Sequence, residues 1–159
     1  MKLAGLKSVE NAHDDSVWAA TWVPATETRS ALLLTGSLDE TVRLWSSDEL
    51  VLERTNTGHC LGVASVAAHP SGLIAASASL DSFVRVFDVD TNATIATLEA
   101  PPSEVWQLRF NPQAFFVLRF AQWGLIQKGC SFGALCFKMT NVYFSPRLVG
   151  GNSVSQFVA

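Results

Sequence analysis

Two histidines, two aspartates and two serines carry the residue types of nucleophilic catalysis: His13 with Asp39, and His59 with Asp81, could act as general-base pairs, and Ser37 or Ser79 could supply the hydroxyl. The chemistry would be acyl transfer, the imidazole taking the serine proton while the carboxylate orients the imidazole. Spacing argues against it. Asp39 and Asp81 stand 42 residues apart, and so do Trp45 and Phe87. Catalytic groups have no reason to recur at a fixed period, whereas a network that stabilises a repeated unit does. The structural reading is therefore taken for both sets.

Metal chemistry has less support. Five residues separate Cys130 from Cys136, and no histidine or acidic side chain lies near them to complete four zinc ligands. No metal and no other cofactor is expected. With Cys60 these make three cysteines, too few and too scattered for a disulfide framework, which fits a reducing compartment. The chain of 159 residues is 48% apolar with a formal charge of -3 and a pI near 5.5. That balance gives no electrostatic footprint for direct nucleic-acid binding. Arg119, Lys128, Lys138 and Arg147 break the later apolar runs well before the ~18 residues of a membrane helix. The opening MKLAGLKSVENAHDD is interrupted at Lys7 and Glu10 and has no signal-peptide cleavage site, so the chain reads as non-secreted.

The elements that must position the histidines and aspartates follow from an internal repeat. AHDDSVW at 12–18 is echoed by GHCLGVA at 58–64, and GSLDETVRLW at 36–45 by ASLDSFVRVF at 78–87. Pro24, Pro70 and Pro112 close corresponding strands at intervals of 46 and 42 residues, the longer one holding an insert around TETRS. Within the first period the alternation predicts strands at 17–23, 31–37, 41–45 and 50–54, with four more from residue 63 onward. Turn chemistry separates them: Pro-Ser-Gly at 70–72, Leu-Asp before each third strand, Asp-Thr-Asn at 90–92. Four strands in a unit of ~40–45 residues is a propeller blade.

These motifs resemble the WD-repeat family: a Gly-His or Ala-His pair, an Asp six residues before an aromatic, and an aromatic followed by Asp at Phe87-Asp88. The resemblance implies an all-β partial propeller. It also implies a hydrogen-bond chain inside each blade, through His13, Ser37 (or Thr35), Asp39 and Trp45 in the first and His59, Ser79 (or Ser77) and Asp81 in the second. Phe87 has no N–H to donate, so the second chain is expected to be weaker by about 1 kcal/mol. NAHDDSVWAATW and APPSEVW narrow the resemblance to the WD subunits shared by the Paf transcription-elongation complex and the Ski RNA-surveillance complex. It then implies a non-catalytic scaffold in the nucleus and also the cytoplasm. Its partners would be protein subunits of those complexes, with no membrane and no small-molecule substrate. A substrate receptor of a cullin-type ubiquitin ligase is the alternative; such receptors usually carry an Arg two residues after Trp-Asp, where this chain has Asp90.

The expected organisation is one repeat at 12–57, a second at 58–99, the start of a third at 100–112, and a non-family, irregular tail at 113–159. No acidic residue occurs after Glu104, and the only tryptophan of the tail, Trp123, is followed by Gly rather than Asp. A retained intron or an alternative splice produces such a break. A divergent third blade is the competing reading and would use FVLRF and ALCFK as strands. Two blades cannot close a ring, so apolar blade faces are expected to stay exposed. Candidate partner-binding residues are Asp14 and Asp15 at the first blade's rim, and Trp18 and Trp106 at matching starts of inner strands.

Overall fold

The computed structural model describes residues 7–99, 105–111, 115–124, 136–144 and 157–158, with side chains for 7–99 and 107–110. Each of the first two repeats forms one antiparallel sheet with its four strands in chain order. The first holds β1 (Val17–Val23), β2 (Leu32–Ser37), β3 (Val42–Ser46) and β4 (Leu52–Asn56). The second holds β5 (Val63–Ala68), β6 (Ile74–Ser79), β7 (Phe83–Asp88) and β8 (Thr94–Glu99). Period-two alternation puts one set of side chains on each face, and the middle strands, covered on both faces, are almost wholly buried.

The turns repeat as faithfully as the strands. Glu40 and Ser82, each following the turn aspartate, have φ of 68° and 67°; Leu50 and Asn92, each before the fourth strand, have 53° and 58°. Asn tolerates this left-handed conformation and a leucine side chain does not. Leu50→Asn is therefore expected to raise stability by about 0.5–1 kcal/mol in urea titration. A loss would mean that the half-buried leucine contributes more packing than its backbone costs.

Consecutive blades stack through their apolar faces. The outgoing face of blade one, with Val23, Leu32, Leu34, Val42 and Leu44, packs on the incoming face of blade two, with Val63, Val66, Ala75 and Phe87. Gly36 lets the two sheets approach: a Cβ there would lie 2.7 Å from Val63 Cγ1 and 2.9 Å from Val66 Cγ1. The step is repeated once more. Leu108 enters the cluster of Ala67, Ala76, Ala78, Val84 and Val86, and its N–H donates to Ser65 Oγ at 3.0 Å. Burial of each such valine or leucine side chain contributes roughly 1.5–3 kcal/mol.

The segment after residue 112 differs from the irregular tail expected of it. β9 (Val105–Asn111), β10 (Phe115–Gly124), β11 (Cys136–Phe144) and β12 (Phe157–Val158) form a third four-stranded sheet in the order β12-β11-β10-β9. β10 pairs antiparallel with β9, Leu118 opposite Leu108, and with β11 from Phe116↔Phe144 to Gly124↔Cys136. The physical reason lies in composition. FFVLRFAQW and CFKMTNVYF are rich in aromatic and β-branched residues, and β9 offers an unpaired edge to the first of them. Loss of the Ser-x-Asp and Trp-Asp signature removes the blade's internal network without removing the strands' tendency to pair.

Candidate functional site

Blade one draws its polar side chains from four places: His13 ahead of β1, Thr35 in β2, Asp39 in the β2–β3 turn and Trp45 in β3. Trp45 Nε1 donates to Thr35 Oγ1 at 2.8 Å; that hydroxyl lies 2.8 Å from His13 Nε2, and His13 Nδ1 lies 2.8 Å from Asp39 Oδ2. A carboxylate only accepts, so Nδ1 donates to Asp39 and, in the neutral imidazole, Nε2 accepts the threonine hydroxyl proton. Thr35 can then accept from the indole while donating to the imidazole, which no aliphatic residue could do. Asp39 also accepts from the Asp14 N–H (3.0 Å), the Thr41 N–H (3.0 Å) and the Thr41 hydroxyl (2.6 Å). Burial alone would raise its carboxyl pKa; the bonds from the Thr41 side chain, Asp14, His13 and the Thr41 N–H outweigh burial and hold it far below the usual carboxylate range. Ser37 stands elsewhere. Its hydroxyl donates to the Asp15 carbonyl and accepts the Asp39 N–H, both at 3.1 Å, so it shapes the turn while Thr35 occupies the chain.

Blade two repeats the arrangement with one member missing. His59 Nδ1 lies 3.1 Å from Asp81 Oδ2 and His59 Nε2 2.9 Å from Ser77 Oγ, while Ser79 donates to the Leu61 carbonyl at 2.8 Å and accepts the Asp81 N–H at 3.1 Å. Phe87, in the place of Trp45, is fully buried and offers Ser77 no donor. Restoring the donor by Phe87→Trp is nevertheless expected to lower stability. A hydrogen bond gains about 1 kcal/mol, whereas forcing a larger ring against Ala75 and the blade-one core costs about 1–3 kcal/mol. A higher urea midpoint for the variant would show that the pocket has room.

The titrations give a pH dependence with a definite sign. Burial holds the His59 imidazole below its ordinary value of 6.5, partly offset by the hydrogen bond and charge of Asp81. The unfolded chain therefore binds more protons as pH falls, so this contribution is present above about 6.5 and is lost as pH falls through the lower folded value. For Asp81, burial raises the carboxyl pKa, but the N–H groups of Cys60 and Phe83 and the His59 bond more than compensate and bring it below 3.8. Asp39 behaves likewise, so a second loss begins below about 3.8. Urea midpoints should fall in two stages on acidification, and His59→Gln should remove the first.

Hydroxyl, imidazole and carboxylate in this order are the parts of a nucleophilic relay. Access decides otherwise. Ser77 is 0% exposed and Thr35 7%, so no acyl group can reach either hydroxyl. Each carboxylate accepts one backbone N–H of its own turn and one from the residue after the blade's histidine, Thr41 and Asp14 for Asp39 and Phe83 and Cys60 for Asp81, a geometry that ties two segments of the blade together. The run GCSFG at 129–133 has the spacing of a nucleophile turn, but it lies outside the described residues.

The remaining candidates are dispersed. The exposed Asp14 carboxylate meets Arg43 Nη2 at 3.2 Å, and Asp15 caps the Ser16 N–H at 2.6 Å. Trp18 belongs to β1 and lines an open concavity, also bordered by β5 and β9, at the blades' inner ends. Trp106 lies in β9, its side chain outside the described residues, as is Cys130; Cys60 is exposed. Among the described residues no group of three or more His, Cys, Asp or Glu could hold a metal ion, and no helix is long and apolar enough to cross a membrane. Sequence reasoning passed over Arg43 and Arg85. Arg43 donates to the Ala12 carbonyl at 2.8 Å and Arg85 to the Gly58 carbonyl, each clamping the residue before the blade's histidine. Their signal was present as the Val-Arg pair shared by VRLW and VRVF.

Comparison with known proteins bears on both the blades and the surface. The family described as WD domain, G-beta repeat matches residues 6–46 and 50–88. The WD repeat-containing protein VIP3 of Arabidopsis thaliana is 81% identical over 113 residues, 71% of this chain and 35% of VIP3. WD repeat-containing protein SL1-17 of Schistosoma mansoni is 30% identical over 119 residues, 74% of this chain and 40% of that protein. Superkiller complex protein 8 of Dictyostelium discoideum is 26% identical over 99 residues, 60% of this chain and 31% of that protein. The chain thus spans between 31% and 40% of the length of these relatives.

Proposed function

Since the chain belongs to the WD-repeat family, whose members bind other proteins, we propose that it is a non-catalytic scaffold, a fragment of the WD subunit that serves the Paf transcription-elongation and Ski RNA-surveillance complexes. The observation that carries this reading is the recurrence of a buried hydroxyl–imidazole–carboxylate chain in each blade, with both hydroxyls sealed from solvent. The histidines and aspartates are committed to holding the blades, which leaves the exposed rims and faces to act on other molecules. The identity to VIP3 and the likeness to Superkiller complex protein 8 support the choice of complexes. Docking of extended or helical segments from other subunits would be the mechanism, without a chemical step. The nucleus and the cytoplasm are the compartments that reading requires.

The test is affinity purification of the tagged chain from Arabidopsis cells, with quantitative mass spectrometry of what accompanies it. Enrichment of Paf or Ski subunits over a tag-only control is the expected result. Enrichment of neither removes the assignment to these complexes, and enrichment of cullin-ligase subunits instead would replace it.

A further inference from the structure

The two blades differ in the chemistry of one turn, the one that joins the third strand to the fourth. Ser46 closes β3 opposite Leu32 and Asp88 closes β7 opposite Ile74, so the two residues are counterparts one repeat apart. Asp88 organises its turn closely. One carboxylate oxygen accepts the Asp90 N–H at 3.0 Å, the Thr91 N–H at 2.7 Å and the Thr91 hydroxyl at 2.9 Å. The Thr91 N–H foremost, then the other two bonds and the charge of Arg54, hold this carboxyl below its ordinary 3.8 against a burial that raises it. Ser46 has only a neutral hydroxyl for the same task, and it accepts the Glu49 and Val51 N–H groups at 3.4 and 3.3 Å. Both bonds are long for N–H to oxygen. The backbone adds strain, because Leu50 takes a φ of 53° where its counterpart is the more tolerant Asn92. The blade-one turn therefore opens at lower cost than its copy.

We infer that Ser46 is a phosphorylation site for a protein kinase that reads acidic residues just after its target serine, and that the phosphate takes in blade one the place Asp88 fills in blade two. Ser46-Ser47-Asp48-Glu49 sets carboxylates two and three residues beyond the hydroxyl, both exposed, which complements a basic substrate groove. Ser47 has Leu50 at the third place and donates to Asp48 Oδ1 at 3.3 Å, with no acceptor role in the turn. In the transfer, Ser46 Oγ attacks the γ-phosphorus of ATP. The new O–P bond forms as the bond from that phosphorus to the β,γ-bridging oxygen breaks, ADP leaves, and the hydroxyl proton passes to the kinase's own carboxylate base. The product carries about -1.5 to -2 charges at pH 7 and three strong acceptor oxygens. These face the Glu49 and Val51 N–H groups, which the hydroxyl holds only at the limit of bonding. Repulsion from the Asp48 and Glu49 carboxylates is screened, since both stand in solvent. Lys7, whose ammonium donates to the Asp48 carbonyl, is the cation that answers the phosphate, as Arg54 does for Asp88. The inference concerns this turn alone and is independent of the Paf or Ski assignment.

The test incubates the full chain with ATP, magnesium and casein kinase II as the acid-reading probe, maps the phosphate by mass spectrometry and follows amide exchange. Phosphate on Ser46 is expected, at an initial rate that falls at least about tenfold for Glu49→Gln and is unchanged for Glu27→Gln, at an exposed acid elsewhere. Exchange at the Glu49 and Val51 amides should slow at least about fivefold once Ser46 is modified, and Ser46→Asp should slow it without kinase. Absence of phosphate from Ser46, its transfer to Ser47 instead, a rate indifferent to Glu49→Gln, or exchange at Glu49 and Val51 that is unchanged or faster would each overturn the inference.

Discussion

Asp39→Ala is expected to destabilise the chain by about 3–5 kcal/mol, the scale of two or three hydrogen-bond donors losing their acceptor at once. The carboxylate is the hub of blade one. It accepts from His13, from the Asp14 and Thr41 N–H groups and from the Thr41 hydroxyl, and Arg43 Nη2 lies 3.5 Å away. Alanine would leave these donors buried and unanswered, each at about 1–3 kcal/mol if water cannot enter. Water reaches some of them at the rim, which keeps the total below the sum. Asp81→Ala should cost about 1 kcal/mol less, because Asp81 answers three donors, His59 and the N–H groups of Cys60 and Phe83. Urea titration gives the magnitude, and amide exchange of β1 to β3 gives the location. Equal effects of the two substitutions would mean that the network is not what separates the blades in stability.

The blades were legible in the sequence because two codes agree there. Alternation in VRLW and VRVF fixes strands, and the 42-residue spacing of Asp39 and Asp81 fixes their place in a repeat, so either signal corrects the other. Where one code is missing, legibility falls. After residue 112 the repeat signature is gone while strand-forming composition persists, and β10 and β11 pair where a signature-based reading expects no order. The choice between Thr35 and Ser37 was not legible for a different reason. Both are hydroxyl residues on β2, two apart and hence on one face, and only the depth of the imidazole decides which one it meets.

Gly36→Val should separate the first two blades, at a cost above about 3 kcal/mol, because its methyls would extend beyond a Cβ that is itself already too close. That Cβ would sit 2.7 Å from Val63 Cγ1 and 2.9 Å from Val66 Cγ1. Neither valine can swing aside, since β-branching restricts χ1 and both are buried, at 0% and 7% exposure. The backbone at Gly36 needs no glycine for its own sake, as its φ is not in the left-handed region, so the residue serves approach alone. Blade two bears this out with Ala78 at the same position, facing Leu108 in place of a β-branched residue. Unbranched at Cβ, leucine can take another rotamer around the methyl, so sheet spacing is set by the pair and not by either residue. Gly36→Ala should accordingly cost about 1–3 kcal/mol alone and markedly less in a Val63→Ala background, with a coupling of about 0.5–3 kcal/mol in the double-mutant cycle. Strict additivity would mean that the blades adjust their separation freely, and the close approach at Gly36 would then not be what holds blade two on blade one.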